Sequence, residues 1–433
     1  MKQRNKMLQY IGAGCILVGV FLAVIAFAMG GFRLKGFKTG LPYEERSYHY
    51  NVEKVKTISI KDMYSGIKLI ASDSNQIHIT TQENEQEYYD VHLSAGGELV
   101  IEQKVNKQWY DYIGVNIGFV DQTIHIEVPY GFEGEINASS GSGAIDITQL
   151  EQLSGLVINS KSGDIKMSSL TAQNQVSINT RSGKVKLDNV TSGGDMTVET
   201  SSGDIKATSV DAGGTLSVDT KSGKTELDEG AVKKDLIVRT LSGDTNVSAV
   251  QVANNISIRA SSAALFLDKM QANGDITLET ESGDIKVKSV NAGGTLSVDT
   301  KSGKTVFDEG AVKEDLIVRT LSGDTNVSAV QVANNISIKA SSAALFLDKT
   351  QANGDITLET KSGDIRFQEL TVGSLGLSSS SGSVKGSIND KRENYTITAT
   401  SKSGRVRVPE SAGGSKRLDV TTKSGDINID FLY

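Results

Sequence analysis

Apolar residues return to the same slots every twenty residues. Leu156, Ile158, Ile165, Met167 and Leu170 are followed by Val176, Ile178, Val185, Leu187 and Val190, then by Met196, Val198, Ile205, Ala207 and Val210. Within each short run the apolar residues alternate with polar ones such as Glu199, Asp219 and Arg239. Period-two alternation predicts strands with one buried face. A smaller slot closes each set (Ala172, Ser192, Ala212, Val232, Val252, Ala272). Between the two runs stands a serine, twelve times in succession at twenty-residue spacing from Ser142 to Ser362. Glycine follows ten of these serines, whereas alanine follows Ser262 and Ser342. The landmark returns as Ser381-Gly382, Ser403-Gly404 and Ser424-Gly425. So short and regular a period predicts a solenoid, in which each repeat buries its apolar face against its neighbours. The expected fold is all-β: a parallel β-solenoid, or single-stranded β-helix, of 20-residue rungs. Each rung reads strand, Ser-Gly turn, strand, corner, with rungs stacked in register ~4.8 Å apart.

Residues 211–290 and 291–370 agree at 68 of 80 positions, so a block of four rungs has been copied. A repeat that touches only its neighbours tolerates such copying. Ahead of the array, 136–433, lies a less regular β section, 51–135. Its alternating pairs include Ile58/Ile60 and Ile67/Leu69, which flank Ser65-Gly66 like an incomplete rung. This section is expected to cover one end of the solenoid. The last apolar residues, Ile427, Ile429, Phe431, Leu432 and Tyr433, leave an exposed terminal edge unless their bulk covers it.

The chain begins with the basic residues Lys2, Arg4 and Lys6, and no charge occurs from Met7 to Gly31. The run 7–31 is long enough for a transmembrane helix, with a 1–6 cytoplasmic tail before it and a juxtamembrane linker, 32–50, after it. Ala26-Phe27-Ala28 also offers the cleavage site of a signal peptide, but the apolar run continues beyond it. Either reading places the array outside the cell. Cys15, the only cysteine, lies in this run, so no disulfide braces the chain.

Charge divides unevenly. Residues 39–433 carry 39 basic and 52 acidic residues, a net of −13. That field opposes sequence-independent binding of nucleic acid. The array has no histidine or tryptophan, and no GxSxG, HExxH, Walker A or CxxC motif occurs. No catalytic, cofactor or metal residues are therefore assigned, and a glycan-active enzyme is the weakest reading. The histidines (His49, His78, His92, His125) read as scattered positions on a sheet surface.

The turns carry the sharpest detail. Ser162-Gly163-Asp164, Ser202-Gly203-Asp204 and Ser282-Gly283-Asp284 alternate with turns in which Lys or Ala replaces the acid. Acids two rungs apart are too sparse for a calcium column, which needs several carboxylates together. The alternation reads instead as avoidance of like-charge stacking. The column Thr180, Thr200, Thr220, Thr240, Thr280, Thr300 suggests hydroxyls stacked in hydrogen bonds, broken at Ala260 and Ala340. Phe266 and Phe346 fall on the outward phase of their strands, and Trp109, Tyr110 and Tyr112 form an aromatic cluster. These five are the candidate partner contacts, although the cluster reads equally as a cap over the first rungs.

The basic start, the apolar run, "IHIEVPYGFEGEINASSGSGAIDIT" and the recurring T-x-S-G-D-I together resemble the LiaG-like adhesin-type β-strand-repeat proteins of Gram-positive envelopes. The resemblance implies a membrane-tethered extracellular β-solenoid and carries over no binding residues. The expected function is a non-enzymatic adhesin or envelope scaffold. Its partners would be the membrane, through the helix, and envelope proteins or wall and matrix polymers. The alternative is an accessory component of envelope-stress sensing.

Overall fold

A computed structural model describes residues 16, 18–21, 41–107, 121–409 and 411–433. The expected membrane helix falls almost wholly outside them, as do Trp109, Tyr110 and Tyr112. Among the described residues no helix is long and apolar enough to cross a membrane. The chain divides into two compact units.

The larger unit comprises Ser47–Thr80, Asp90–Glu102 and Thr123–Tyr433 and is the expected parallel β-solenoid. One face stacks the strands that precede each Ser-Gly turn, such as Val176–Thr180 and Met196–Thr200. The other stacks the strands that follow it, such as Val185–Ser192 and Ile205–Ala212. The pairing holds a twenty-residue register throughout the regular array: Val176 opposes Met196, and Met196 opposes Leu216. All the apolar slots of the rungs around Ser162 and Ser182 are buried, at no more than 1% exposure. Backbone groups are satisfied by the next rung, so apolar burial and hydrogen bonding repeat with one period.

Each rung has a third bend that the sequence pattern did not reveal. Twelve non-glycine residues, from Gln149 to Glu369 at twenty-residue intervals, take a left-handed conformation with φ between 47° and 62°. They include Ser169, Asn189, Ser209 and Ala249. Strand pairing skips them: Ser168 opposes Asp188, and the next pair is Leu170 with Val190. The backbone thereby turns inside the second strand and points the following residue back into the core. No β-branched residue occupies this column, consistent with the steric cost of positive φ for such side chains.

At both ends the spatial order of rungs departs from chain order. Thr57–Asp62 pairs in parallel with both Glu98–Val105 and Glu135–Ser140, and Ile67–Ser72 lies between Ile124–Pro129 and Ile145–Thr148. The segment around Ser65-Gly66 is therefore a complete internal rung. Ile124–Pro129 is then met by an antiparallel strand, through His78, Ile79 and Thr80. At the other end Lys416–Ser424 is inserted between Leu375–Ser381 and Tyr395–Ser401, while Ile427–Phe431 lies between Val384–Ile388 and Val406–Arg407. The edge expected at Ile427 and Ile429 is thus internal, and both residues are fully buried. Tyr395–Ser401 and Val406–Arg407 form the outermost rung instead.

The smaller unit comprises Met1–Arg46, Thr81–Tyr89 and Gln103–Gln122. Of the strand Glu44–Asn51, which begins inside the stretch expected as linker, only Glu44–Arg46 belong to this unit. Two carboxylates are buried in it, Glu83 and Glu87. Glu83 accepts from the Thr81 hydroxyl at 2.7 Å and lies 3.7 Å from Arg46, while Glu87 accepts from the Tyr43 hydroxyl and from Lys107 at 2.5 Å. Burial, and then the Glu87 carboxylate, push the Tyr43 phenol up to about 12. Pairing each buried acid with a cation offsets its desolvation.

Candidate interaction surfaces

The predicted turn residues form a corner column in which each acid has a specific partner. Asp164 Oδ1 accepts from the backbone N–H of Lys184, one rung on, at 2.8 Å. Asp204 does the same for Lys224 at 3.0 Å, and Asp284 for Lys304 at 2.8 Å. Where alanine replaces lysine the bond persists, from Ala264 to Asp244 at 3.1 Å and from Ala344 to Asp324 at 2.9 Å. Each of these carboxylates ties its own turn to the next. A lysine or alanine intervenes before the next acid in the column. Asp364 shows the electrical consequence. The N–H of Ser383, and then Arg366, hold its carboxyl below the ordinary carboxylate range against the opposing effect of burial.

The glycine of each turn is fixed by close approach. A Cβ on Gly163 would stand 1.9 Å from the Gly143 carbonyl oxygen, and one on Gly203 1.9 Å from that of Gly183. The threonine column supports the same turn, but not by stacked hydroxyls as expected. Gly203 N–H donates to Thr200 Oγ1 at 3.0 Å, and Gly183 N–H to Thr180 Oγ1 at 3.2 Å. Thr180 and Thr200 thus staple their own turns, as serine and threonine side chains do in local turns, whereas Thr280 donates to the Ala263 carbonyl oxygen of the preceding rung at 3.4 Å. In the first of the two exceptional rungs Ala260 and Ala263 are both buried. The lost threonine side chain and the gained methyl group share one corner, which explains why the two changes occur together.

A second Asx ladder, missed in the sequence, ties the opposite corner. Thr215 N–H donates to Asp195 at 2.8 Å, Asn255 N–H to Asp235 at 3.0 Å, and Asp275 N–H to Asn255 Oδ1 at 2.9 Å. Its signal was available as an Asp or Asn recurring before most of the first strands, with Gln175, Thr215 and Thr295 as exceptions. The histidines are less scattered than they read. His49 and His78 stack with ring centroids 4.4 Å apart, and His78 Nδ1 lies 3.6 Å from Glu127. Among the described residues no group of three or more His, Cys, Asp or Glu side chains could hold a metal ion.

Phe266 and Phe346 point outward as expected and are half-buried, with Lys286 5.5 Å above the Phe266 ring. That cation stands over the face of the Phe266 ring. The more open apolar side chains are Leu241 and Leu321, 55% and 56% exposed, beside the first face. On that face the outward column reads Glu199, Asp219, Arg239, Arg259, Glu279, Asp299, Arg319, Lys339, Glu359, one residue per rung. A shallow open groove of about 520 Å³ runs along it, past Asp299, Arg319, Leu321, Lys339 and Glu359.

Comparison with known proteins bears on this architecture. No curated protein matches the chain. A solved structure titled a putative cell adhesion protein from Clostridium sporogenes aligns over 90% of this chain and 99% of its own. The identity is 9% and the TM-score 0.14, too low to carry an argument. The Toastrack DUF4097 family matches residues 55–263, 211–305 and 292–433, spanning the solenoid from its irregular start to its last strand. The chain belongs to the Toastrack DUF4097 family.

Proposed function

We propose that this protein is a non-enzymatic, LiaG-like surface protein. In this reading segment 7–31 anchors it in the membrane of a Gram-positive cell, and the solenoid makes adhesive or scaffolding contacts in the envelope. The observation that carries the proposal is the registered outer surface: the same side-chain slots recur at each rung, ~4.8 Å apart. Such a surface suits repeated weak contacts, whose sum exceeds any one of them when partner and spacing match. The block duplication supports it too, because four added rungs lengthen a ladder without disturbing a unique pocket.

Deleting residues 291–370 removes four whole rungs and rejoins the stack in register. On intact cells, protease is expected to digest the array of both forms, while the shortened protein adheres less at equal surface abundance. An accessory stress sensor would instead keep its signalling output after the deletion. Digestion only after lysis, or turnover of wall polysaccharide by the purified protein, would overturn the proposal.

A further inference from the structure

The charged column of the first face is arranged unfavourably for an isolated solenoid. Register places Glu199 directly beside Asp219, Arg239 beside Arg259, Glu279 beside Asp299 and Arg319 beside Lys339. Like charges side by side in adjacent strands destabilise a sheet, and strict alternation would avoid this. Ion pairs form only at two of the block boundaries, Arg259–Glu279 at 3.0 Å and Lys339–Glu359 at 3.3 Å. Among the described residues, Asp219, Arg239, Asp299 and Arg319 have no side-chain partner. The pattern has a period of four rungs, the length of the copied block, so the duplication extended it in phase.

We infer that this face docks a second copy of the same chain, antiparallel, about a two-fold axis lying along the strand direction between Arg259 and Glu279. Such an axis reverses the order of rungs but keeps each column opposite itself. Arg259 then faces Glu279 of the second copy, Arg239 faces Asp299, Asp219 faces Arg319 and Glu199 faces Lys339. By symmetry all eight positions meet the opposite charge. A parallel pair, with the axis along the solenoid, sets every residue against its own copy and every charge against its like. Sliding the antiparallel pair by two rungs also opposes like charges. The stripe therefore selects one orientation and favours the register with the longest complementary overlap, since sliding by four rungs pairs only six positions, and this is how charge patterns confer specificity.

The neighbouring columns accommodate this arrangement. Ser217, Ser257, Ser297 and Thr277 keep the face low, and Leu241 meets the stem of Lys301 while Leu321 meets that of Lys221. The one like-charge meeting, Arg181 with Lys361, falls at the end of the overlap. Eight rungs by one strand cover on the order of 600 Å² per partner, which places the pair among weak, reversible interfaces. The inference rests on register and charge within the solenoid, and does not depend on the adhesive reading.

The test uses the full chain carrying Cys15→Ser, in detergent at low salt. Asp219→Cys and Arg319→Cys together introduce thiols five rungs, ~24 Å, apart within a chain, too far to bridge internally. The expected result is a covalent dimer on mild oxidation, suppressed by ~0.5 M salt. The control pair Asp219→Cys with Asp299→Cys should link at least tenfold more slowly, and equal rates in the two would overturn the inference. Independently, Arg259→Glu should abolish the dimer seen by sedimentation, and adding Glu279→Arg should restore it. A wild-type chain that stays monomeric at ~100 µM, or a dimer indifferent to Arg259→Glu, would refute the inference even if every variant folds.

Discussion

The corner column and the face column contain the same kinds of residue and perform opposite tasks. At the corner, Asp204 and Asp284 spend their carboxylates on the backbone N–H of the next rung, and a lysine or alanine separates each acid from the next. On the face, equal charges stand next to one another, and among the described residues four of them have no side-chain partner. Identical spacing along one solenoid thus produces one column that holds rungs together and another that tolerates repulsion. Composition does not distinguish them; the distinction lies in whether an unsatisfied backbone donor is within reach.

The largest expected effect breaks the corner outright. Gly203→Val would drive a side chain into the Gly183 carbonyl, 1.9 Å away. The expected cost is at least about 3 kcal/mol, seen as loss of a cooperative thermal transition. Next, Ala249→Val places a β-branched residue at φ 53°. A loss of about 2 kcal/mol in urea denaturation is expected, whereas Ala249→Gly should be tolerated.

Acid should weaken the corner at Asp364. The folded carboxyl of Asp364 lies below its ordinary value, first through the Ser383 N–H and then through Arg366. Its contribution is therefore complete above the ordinary carboxylate range and is lost as pH falls through the lower folded value. Melting temperature should drop below about pH 4, and Asp364→Asn should flatten part of that slope. A slope unchanged by the substitution would remove Asp364 from this account.

The twenty-residue period made the rungs, their buried slots and their in-register stacking legible, because apolar burial and turn chemistry are both local. The partner of the turn acids was hidden, since it is a backbone N–H a full rung away. The left-handed column was visible only as a shortage of β-branched residues at Ser169, Asn189 and their equivalents. The interchanged end rungs could not be read at all: Glu98–Val105 lacks a Ser-Gly landmark, and the pattern of a rung does not say which neighbour it will stack upon. His49 and His78 meet through non-local packing that local periodicity does not encode.

The most direct test compares two single substitutions in the full chain, at concentrations too low for pairing. Asp204→Ala removes the acceptor for Lys224 N–H and is expected to cost about 1 kcal/mol, with faster hydrogen exchange at Lys224. Arg239→Ser removes a like-charge contact with Arg259 and should change stability by no more than about 0.5 kcal/mol, in the stabilising direction. Equal losses from both, or unchanged exchange at Lys224, would contradict the division of labour between corner and face.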